Sequence, residues 1–338
     1  MTQHLRPVGI VGLGTYVPER VLTNADLEKM VDTSDEWIVT RTGIRERRIA
    51  APHEATSDLA THAAQRALED ARLAASDIEL IVLATLTPDM LFPATANIVQ
   101  HRLGATHAGG FDLSAGCSGF VYALAVGAQF VATGVYQHVL VIGADTLSRI
   151  VDWTDRSTCV LFGDGAGAAV LGPAPEGTGF LSFVLGSDGG GADLLNLPAG
   201  GSRKPASADT VAGREHFIRM AGNEVFKFGV RAMVDASLEA LEKAGLQPNE
   251  VDLLVPHQAN IRIMDAAARR LDVPLGRVFS NVDRYGNTSA ASVPLAFDQA
   301  RREGRVKDGA NIVFVGFGAG LTWAATVLRW SDAPWTSR

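Results

Sequence analysis

The sequence contains few cysteines. Only Cys117 and Cys159 occur among its 338 residues, far apart and without a C-x-x-C pair. Two isolated cysteines supply neither the disulfide framework of a small secreted protein nor the ligands of a structural zinc site. We therefore expect reduced thiols and no bound metal.

Long apolar runs and positive net charge are also missing. No apolar stretch reaches the roughly 18 residues that a membrane span needs, and the segment MTQHLRPVGIVGLG lacks the apolar core and cleavage site of a signal peptide. The net charge of −7 argues against nucleic acid as a general partner. With 47% hydrophobic and 20% charged residues, the chain has the composition of a soluble globular protein, and we expect a cytoplasmic one.

No glycine-rich stretch makes a convincing nucleotide site. GIVGLGTYVP (9–18) begins like a dinucleotide fingerprint but lacks the third glycine, and Pro18 interrupts the helix that should follow. GDGAGA (163–168) precedes the strand-like AVLG rather than a helix. We therefore predict neither NAD nor ATP as a cofactor.

What the chain does contain is an internal α/β repeat. Apolar runs at 78–85, 138–144 and 311–318 predict buried strands, and amphipathic stretches at 57–73 and 230–246 predict helices. A shift of 173 residues superimposes these segments in register: a helix and strand on a helix and strand, then a second strand on a strand. Chance matching of apolar residues is the alternative. We interpret the repeat as two copies of one α/β unit, residues 1–173 and 174–338.

Cys117 stands in DLSAGCSGF (112–120), where nearly every neighbour is small. A lone cysteine is most simply a small buried hydrophobe. This one, however, follows the predicted strand GGFDLSA and opens the predicted helix 119–134. The positive end of that helix should lower the thiol pKa below its free value of about 8.5. Backbone N–H groups at the same place suit the stabilisation of an oxyanion.

The repeat connects Cys117 with a second polar position. Under the same shift Cys117 corresponds to Ala290, inside YGNTSAAS (285–292), which also contains Asn287. Taken alone, Asn287 is equally compatible with an ordinary turn asparagine.

His257 lies in LLVPHQAN (253–260) and corresponds under the shift to Ala84, at the end of a predicted strand. A lone histidine is more often structural than catalytic. The turn GFGAG (316–320) also follows a strand, and it either offers backbone donors or simply joins two strands. Open α/β sheets bind ligands just after their strands, so these motifs predict one shared site.

DLSAGCSGF, VPHQAN and YGNTSAAS, in this order, resemble the active-site motifs of the β-ketoacyl-acyl carrier protein synthase III family, which initiates type II fatty acid synthesis. TSDEWIVTRTGIRER (33–47) and MAGNEVFKFGV (220–230) resemble the same family, so the likeness runs from about residue 8 to 330. The resemblance implies the α/β thiolase fold, with two similar halves in a five-layer αβαβα arrangement. It also implies a homodimer and no metal or redox cofactor.

The resemblance further implies residue roles. Cys117 would take the acyl group from a short acyl-CoA, expected to be acetyl-CoA. His257 and Asn287 would then stabilise the enolate formed when malonyl-acyl carrier protein loses CO₂. The backbone N–H groups of Cys117 and Ala319 would form the oxyanion hole; many relatives have glycine at the second position. The remaining implied contacts are Trp37, Arg41, Arg156 and Asn260 for CoA, Lys227, Arg262, Arg269 and Arg270 for the acidic carrier protein, and Phe92 for the partner subunit's acyl pocket.

Two rival functions stay open at this point. The chain could be a priming synthase or acyltransferase of a polyketide or other secondary-metabolite pathway, with the same residues. It could also be a non-catalytic paralogue that only binds acyl-CoA or carrier protein. The paralogue would be expected to have lost one of Cys117, His257 and Asn287, and all three are present.

Overall fold

A computed structural model describes residues 5–332 of the chain. The described strands, in chain order, are β1 Val8–Tyr16, β2 Val21–Thr23, β3 Glu46–Arg48, β4 Leu80–Ala84, β5 Gly109–Leu113, β6 Val139–Asp145, β7 Gly165–Pro173, β8 Gly179–Ser187, β9 Leu195–Asn196, β10 Arg219–Met220, β11 Leu253–Pro256, β12 Asn311–Gly318 and β13 Thr322–Arg329. The described helices are α1 Asn24–Leu27, α2 Asp35–Thr42, α3 Thr56–Ala71, α4 Thr95–Leu103, α5 Gly119–Ala132, α6 Arg156–Cys159, α7 Ala208–Ala212, α8 Gly222–Ala244, α9 Ile261–Arg270, α10 Val282–Tyr285 and α11 Ser292–Arg302.

Two sheets organise the chain. The first has the order β1-β7-β6-β4-β5, in which β4 runs parallel to β5 and β6 while β7 is antiparallel to β6 and β1. The second has the order β8-β13-β12-β11, with β11 parallel to β12 and the other pairs antiparallel. Matched from β1 and β8 onward, the two sheets have the same order and the same strand directions.

The sheets enclose a pair of central helices. α5 is apolar around most of its circumference, as expected of a helix covered on all sides. It packs with α11 between the two sheets, in a core that draws residues from both. α3 and α4 cover the outer face of the first sheet, and α8 and α9 cover the outer face of the second. The layers therefore alternate as αβαβα, the thiolase fold.

The 173-residue shift matches elements beyond those used to find it. The 3₁₀ turn at 116–118 precedes α5, and the turn at 289–291 precedes α11, at the same spacing. The match fails next to β11. The shift would place a counterpart of β5 at 282–286, but helix α10 lies there, and an isolated parallel bridge between Leu254 and Val278 occupies the edge of the second sheet.

The division into residues 1–173 and 174–338 stays a prediction, and its outer ends, 1–4 and 333–338, lie outside the described residues.

Candidate active site

Cys117 lies in the 3₁₀ turn between β5 and α5, and only 7% of the residue is exposed. Gly116, with φ +56°, supplies the left-handed conformation that brings the chain round this turn. The hydroxyls of Ser118 and of Thr322 lie 2.6 and 2.8 Å from the carbonyl oxygen of Ala115. Because Thr322 opens β13, the nucleophile turn is attached directly to the second sheet.

The turn between β12 and β13 fits closely against Cys117. A Cβ atom on Gly318 would overlap the backbone nitrogen of Cys117, and one on Gly116 would lie 2.7 Å from the backbone nitrogen of Ala319. Only glycine allows both approaches. The backbone amides of Cys117 and Ala319, the pair expected to form the oxyanion hole, therefore belong to two turns in direct contact. The segment 316–320 is the end of β12 and the turn to β13, so it joins two strands and also places the Ala319 backbone against the turn of Cys117.

His257 follows β11 and is 1% exposed. Its backbone N–H donates to Val315 on β12 at 2.7 Å, and its Nδ1 lies 2.6 Å from Oγ of Ser292. The N–H of Gln258 donates to the same oxygen at 3.4 Å. We therefore assign the Ser292 hydroxyl as donor to Nδ1, which leaves the imidazole proton on Nε2.

Asn287 is 8% exposed and held on both sides by backbone hydrogen bonds. Its N–H donates to Leu161 at 2.8 Å, and its carbonyl accepts from Gly163 at 3.0 Å. Its side-chain Oδ1 accepts the N–H of Ser289 at 2.9 Å. Because the acceptor end of the amide is occupied, Nδ2 is the end available to donate to a ligand.

These three side chains line one cavity of about 280 Å³. Arg41, Asn260 and Arg262 line it as well, together with the apolar residues Met220, Phe226 and Phe317. The ring of Phe317 packs edge-on against His257, with 5.6 Å between ring centroids. A cysteine, a histidine and an asparagine thus line one cavity together with apolar and charged side chains.

The prediction of a lowered thiol pKa is wrong for the resting protein. Burial raises the pKa of Cys117 to about 12, the nearby Asp145 carboxylate raises it further, and the Ser289 hydroxyl opposes them. α5 begins two residues beyond Cys117, and the loss of hydration on burial is the largest influence on the thiol pKa. Burial also lowers the pKa of His257 to about 3. At neutral pH the site therefore holds a thiol beside an uncharged imidazole, so the thiol proton has to leave during the attack.

Trp37 and Arg41 lie one turn apart on α2, whose first turn is capped by Ser34. The guanidinium carbons of Arg41 and Arg156 lie 4.6 and 5.2 Å from the centroid of the Trp37 ring. A base sandwiched between Trp37 and Arg156 needs two contact distances of about 3.5 Å each. Arg156 would therefore have to move outward, releasing its 2.7 Å hydrogen bond to the Asp32 carbonyl.

Asn260 also stabilises the start of helix α9. It is the N-cap of α9, and its Oδ1 accepts the N–H of Ile263 at 3.0 Å. Its side chain also lines the cavity. The amide nitrogen is the part of this side chain left to meet a ligand.

The four predicted carrier-protein contacts lie on the two outer helices. Arg262, on the first turn of α9, lines the cavity and places its guanidinium 5.6 Å from the centroid of Phe226 on α8. Lys227 follows Phe226 and pairs with Glu224 at 3.0 Å. Arg269 and Arg270 are exposed at the other end of α9. Two of the four cations thus lie near the cavity and two lie about two helical turns away.

Phe92 does not line the cavity that holds Cys117 in its own chain. It is 84% exposed and follows Leu91, which is 83% exposed, in the loop after β4. Two adjacent large apolar side chains therefore lie in contact with water, outside the cavity of their own chain.

Asp145, Ser289 and Ser292 also contribute to the site, although the sequence did not predict them as functional. Ser289 and Ser292 stand in the motif that drew attention to Asn287. The available signal for Asp145 was an acid at the end of the apolar run VLVIGAD, where strand β6 reaches the edge of the sheet that bears the site. Phe226 and Met220 line the cavity without having been predicted.

Residues 5–332 contain no helix long and apolar enough to cross a membrane. In the same range, no group of three or more histidine, cysteine, aspartate or glutamate side chains is arranged to hold a metal ion.

Comparison with known proteins identifies the family. The model described as 3-oxoacyl-[acyl-carrier-protein (ACP)] synthase III matches residues 111–189, and the model of its C-terminal part matches 241–330. The chain is 60% identical to β-ketoacyl-[acyl-carrier-protein] synthase III of Desulfitobacterium hafniense (strain DSM 10664 / DCB-2), over 96% of this chain and 98% of that protein.

Solved structures of related enzymes also superimpose closely on the chain. β-Ketoacyl-[acyl carrier protein] synthase III from Thermus thermophilus superimposes with a TM-score of 0.89 at 54% identity, covering 96% of this chain and 100% of that one. The priming β-ketosynthase of the R1128 polyketide pathway gives 0.92 at 40% identity, covering 99% of each chain. The fold and the site define a condensing enzyme, an acyltransferase of the thiolase fold. Within that class, the chain belongs to the β-ketoacyl-[acyl-carrier-protein] synthase III family.

Proposed function

We propose that this enzyme condenses a short acyl-CoA, acetyl-CoA in the first instance, with malonyl-acyl carrier protein. The products are a 3-ketoacyl-acyl carrier protein, CoA and CO₂, and the reaction starts fatty acid synthesis. The observation that carries the proposal is that Cys117, His257 and Asn287 line one buried cavity. No metal or redox cofactor enters the reaction.

The first half-reaction is acyl transfer. The sulfur of Cys117 attacks the thioester carbonyl, and the resulting oxyanion is stabilised by the backbone N–H groups of Cys117 and Ala319. The proton of the Cys117 thiol passes to the sulfur of the departing CoA, because Nε2 of His257 already carries a proton and Nδ1 accepts from Ser292. Acyl-Cys117 and free CoA–SH remain.

The second half-reaction is decarboxylative condensation. Loss of CO₂ from the malonyl thioester leaves an electron pair that delocalises onto the thioester oxygen. Nε2–H of His257 and Nδ2–H₂ of Asn287 donate to that oxygen. The carbanion carbon then attacks the acyl carbonyl, a carbon–carbon bond forms, and the Cys117 thiolate leaves and regains its proton.

The substrates reach the cavity along two surfaces. We propose that Trp37, Arg41 and Arg156 hold the nucleotide end of CoA and that Asn260 contacts its pantetheine arm. The acidic carrier protein docks on Arg262 and Lys227 first, beside the cavity, while Arg269 and Arg270 extend the positive surface along α9. Each cation raises the association rate more than it adds affinity.

We also propose that the enzyme is a cytoplasmic homodimer built on β5. This strand pairs with β4 on one side, and its other edge has no strand partner among the described residues. A free edge of this kind pairs readily with a second copy. Such a dimer covers Leu91 and brings Phe92 to the partner's acyl pocket, where its bulk favours short primers. Within each subunit the halves 1–173 and 174–338 form the two similar units.

A priming ketosynthase of a secondary-metabolite pathway is the second candidate. The superposition on the R1128 priming β-ketosynthase favours it as a rival, since both functions use the same fold. The two differ in primer and in carrier protein rather than in the three catalytic side chains.

Intact-protein mass spectrometry tests the proposal. The enzyme is incubated with an equimolar mixture of acetyl-, isobutyryl- and octanoyl-CoA, and malonyl-acyl carrier protein is then added. We expect one acetyl adduct that disappears as 3-ketobutyryl-carrier protein forms. Cys117→Ala should give no adduct, whereas Cys159→Ala, the matched control, should be acylated normally. A stable adduct that malonyl-carrier protein does not consume would refute condensation, and an adduct on Cys117→Ala would refute the nucleophile.

A further inference from the structure

A buried carboxylate lies behind the nucleophile at the end of β6. Asp145 is fully buried, and one of its oxygens, Oδ1, accepts several hydrogen bonds from the chain just after β4. The N–H groups of Leu86 and Thr87 donate to it at 2.7 and 3.2 Å, and the hydroxyls of Thr85 and Thr87 donate at 3.0 Å each. These donors satisfy one end of the carboxylate and hold Asp145 in a single orientation.

The other oxygen, Oδ2, faces the turn that follows Asn287. It accepts the N–H of Ala290 at 3.3 Å. Burial raises the pKa of Asp145 as it does that of Cys117, and the Ser289 hydroxyl, which lies near both groups, opposes the rise in each. This hydroxyl completes no hydrogen bond with a described residue. Ser289 has φ +50°, a conformation that is unusual for any residue other than glycine. The hydrogen bond from Ala290 to Oδ2 of Asp145 lies directly after this residue.

The turn at Ser289 and Ala290 also contacts the side chain of Asn287. The Ser289 N–H donates to Oδ1 of Asn287 at 2.9 Å, and that bond decides which end of the Asn287 amide faces a ligand. We infer that Asp145 is a positioning residue for condensation: by holding the Ser289–Ala290 turn, its Oδ2 orients the Asn287 amide so that Nδ2 donates to the enolate. The inference rests on the enolate role proposed above for Asn287.

Asparagine at position 145 separates the two ends of the carboxylate. The backbone donors Leu86 and Thr87 require an acceptor at the Oδ1 position, so the amide oxygen of Asp145→Asn belongs there. The amide N–H₂ group then takes the Oδ2 position, where two donors, itself and the Ala290 N–H, face each other. This substitution therefore breaks the hydrogen bond from Ala290 and preserves the hydrogen bonds from the chain after β4.

Thr85→Val is the matched control. It keeps the shape of a buried side chain and removes one donor from Oδ1, but it leaves Oδ2 and Ala290 in place. Any loss of activity caused merely by disturbing the hydrogen bonds around Asp145 should appear in this variant too.

The test measures the two half-reactions separately in full-length enzyme. Acylation by acetyl-CoA is followed by mass spectrometry, and condensation with malonyl-acyl carrier protein is expressed per acyl-enzyme, so that unfolded molecules do not count. We expect Asp145→Asn to lower the condensation kcat about 10- to 100-fold, as a misaligned donor does. Acylation and the KM for malonyl-acyl carrier protein should change less than about threefold. Thr85→Val should change both half-reactions less than about threefold.

Three results would overturn the inference. The first is normal condensation by Asp145→Asn together with impaired condensation by Asn287→Ala. The second is an equal loss of acylation and condensation in Asp145→Asn, including a variant that is not acylated at all. The third is an equal condensation defect in Thr85→Val. If Asn287→Ala itself condenses normally, it is the proposed role of Asn287 that fails.

Discussion

Ser292 Oγ lies 2.6 Å from Nδ1 of His257, and this contact selects the imidazole tautomer in the site. A hydroxyl that donates to Nδ1 leaves the ring proton on Nε2, the atom that we propose donates to the enolate. The two residues come from different elements, the end of β11 and the start of α11. The tautomer is therefore set by how the second sheet packs on a central helix.

Ser292→Ala should impair condensation about 10- to 100-fold, because the imidazole loses the partner that orients it. Ser292→Thr retains the hydroxyl and should restore most of the rate. ¹⁵N chemical shifts of the His257 ring report the tautomer directly. A wild-type tautomer and rate in Ser292→Ala would show that the serine only fills space.

The Asn287→Asp variant tests whether the side-chain amide of Asn287 acts as a hydrogen-bond donor. It preserves the shape and the acceptor for the Ser289 N–H but removes the N–H₂ donor. We expect the variant to form acyl-enzyme and to condense about 100- to 1000-fold more slowly, the usual loss for a missing oxyanion donor. Single-turnover measurements of each half-reaction decide the matter. Equal losses in both would contradict the division of labour between Cys117 and Asn287.

Gly318→Ala should block acyl transfer, because the added Cβ overlaps the backbone nitrogen of Cys117 and pushes apart the two amides of the oxyanion hole. A decrease of at least about 100-fold in acylation rate is expected. Gly276→Ala is the control, since a Cβ there meets no atom within 4 Å. If Gly318→Ala is acylated at the wild-type rate, the oxyanion hole does not lie between these two turns.

Because His257 is buried in its neutral form, we expect the folded enzyme to lose stability in acid. The pKa of His257 falls from 6.5 to about 3 on burial, so between these values the unfolded chain binds a proton that the folded chain does not. Stability from this group is therefore complete above pH 6.5 and decreases by about 1.4 kcal/mol per pH unit as the pH falls toward 3.

Urea unfolding from pH 7 to pH 4 measures this effect. His257→Asn should have a shallower slope than the wild type by about one proton. An identical slope in His257→Asn and the wild type would mean that the imidazole is protonated in the folded enzyme.

Trp37→Ala should raise the KM for acetyl-CoA about tenfold with kcat nearly unchanged, because stacking on a base stabilises ground state and transition state equally. Trp37→Phe keeps an aromatic face and should retain most of the affinity. Initial-rate kinetics over a range of acetyl-CoA concentrations distinguish the two parameters. A fall in kcat at constant KM would place Trp37 in the chemistry rather than in nucleotide binding.

The fold was largely predictable from the sequence, because equivalent strands have the same apolar pattern and a constant spacing of 173 residues. The repeat alone pairs the turn of Cys117 with the turn at 289–291, and the two turns do occupy equivalent places in the fold. It did not predict the edge of the second sheet, where the counterpart of β5 is a helix, since nothing in the sequence preserves the strand pattern there.

The sequence predicted which residues form the site better than it predicted what surrounds them. A helix terminus next to Cys117 predicted a lowered thiol pKa, but how deeply the thiol is buried depends on a turn about 200 residues further along the chain. The surroundings of Asp145 were equally hard to predict from the sequence, because its hydrogen bonds connect three distant segments of the chain. Sequence patterns indicate which face a residue lies on, but they do not show what long-range packing places against it.

The contact between the turns of Cys117 and Ala319 has a consequence during synthesis of the chain. Synthesis proceeds from the N-terminus, so the thiol leaves the ribosome long before Gly318, Ala319 and Thr322 exist. A nascent chain carries the cysteine without the amide that completes the oxyanion hole and without His257. On the function proposed above, we expect the thiol to capture an acyl group only after β12 and β13 have packed against the turn of Cys117.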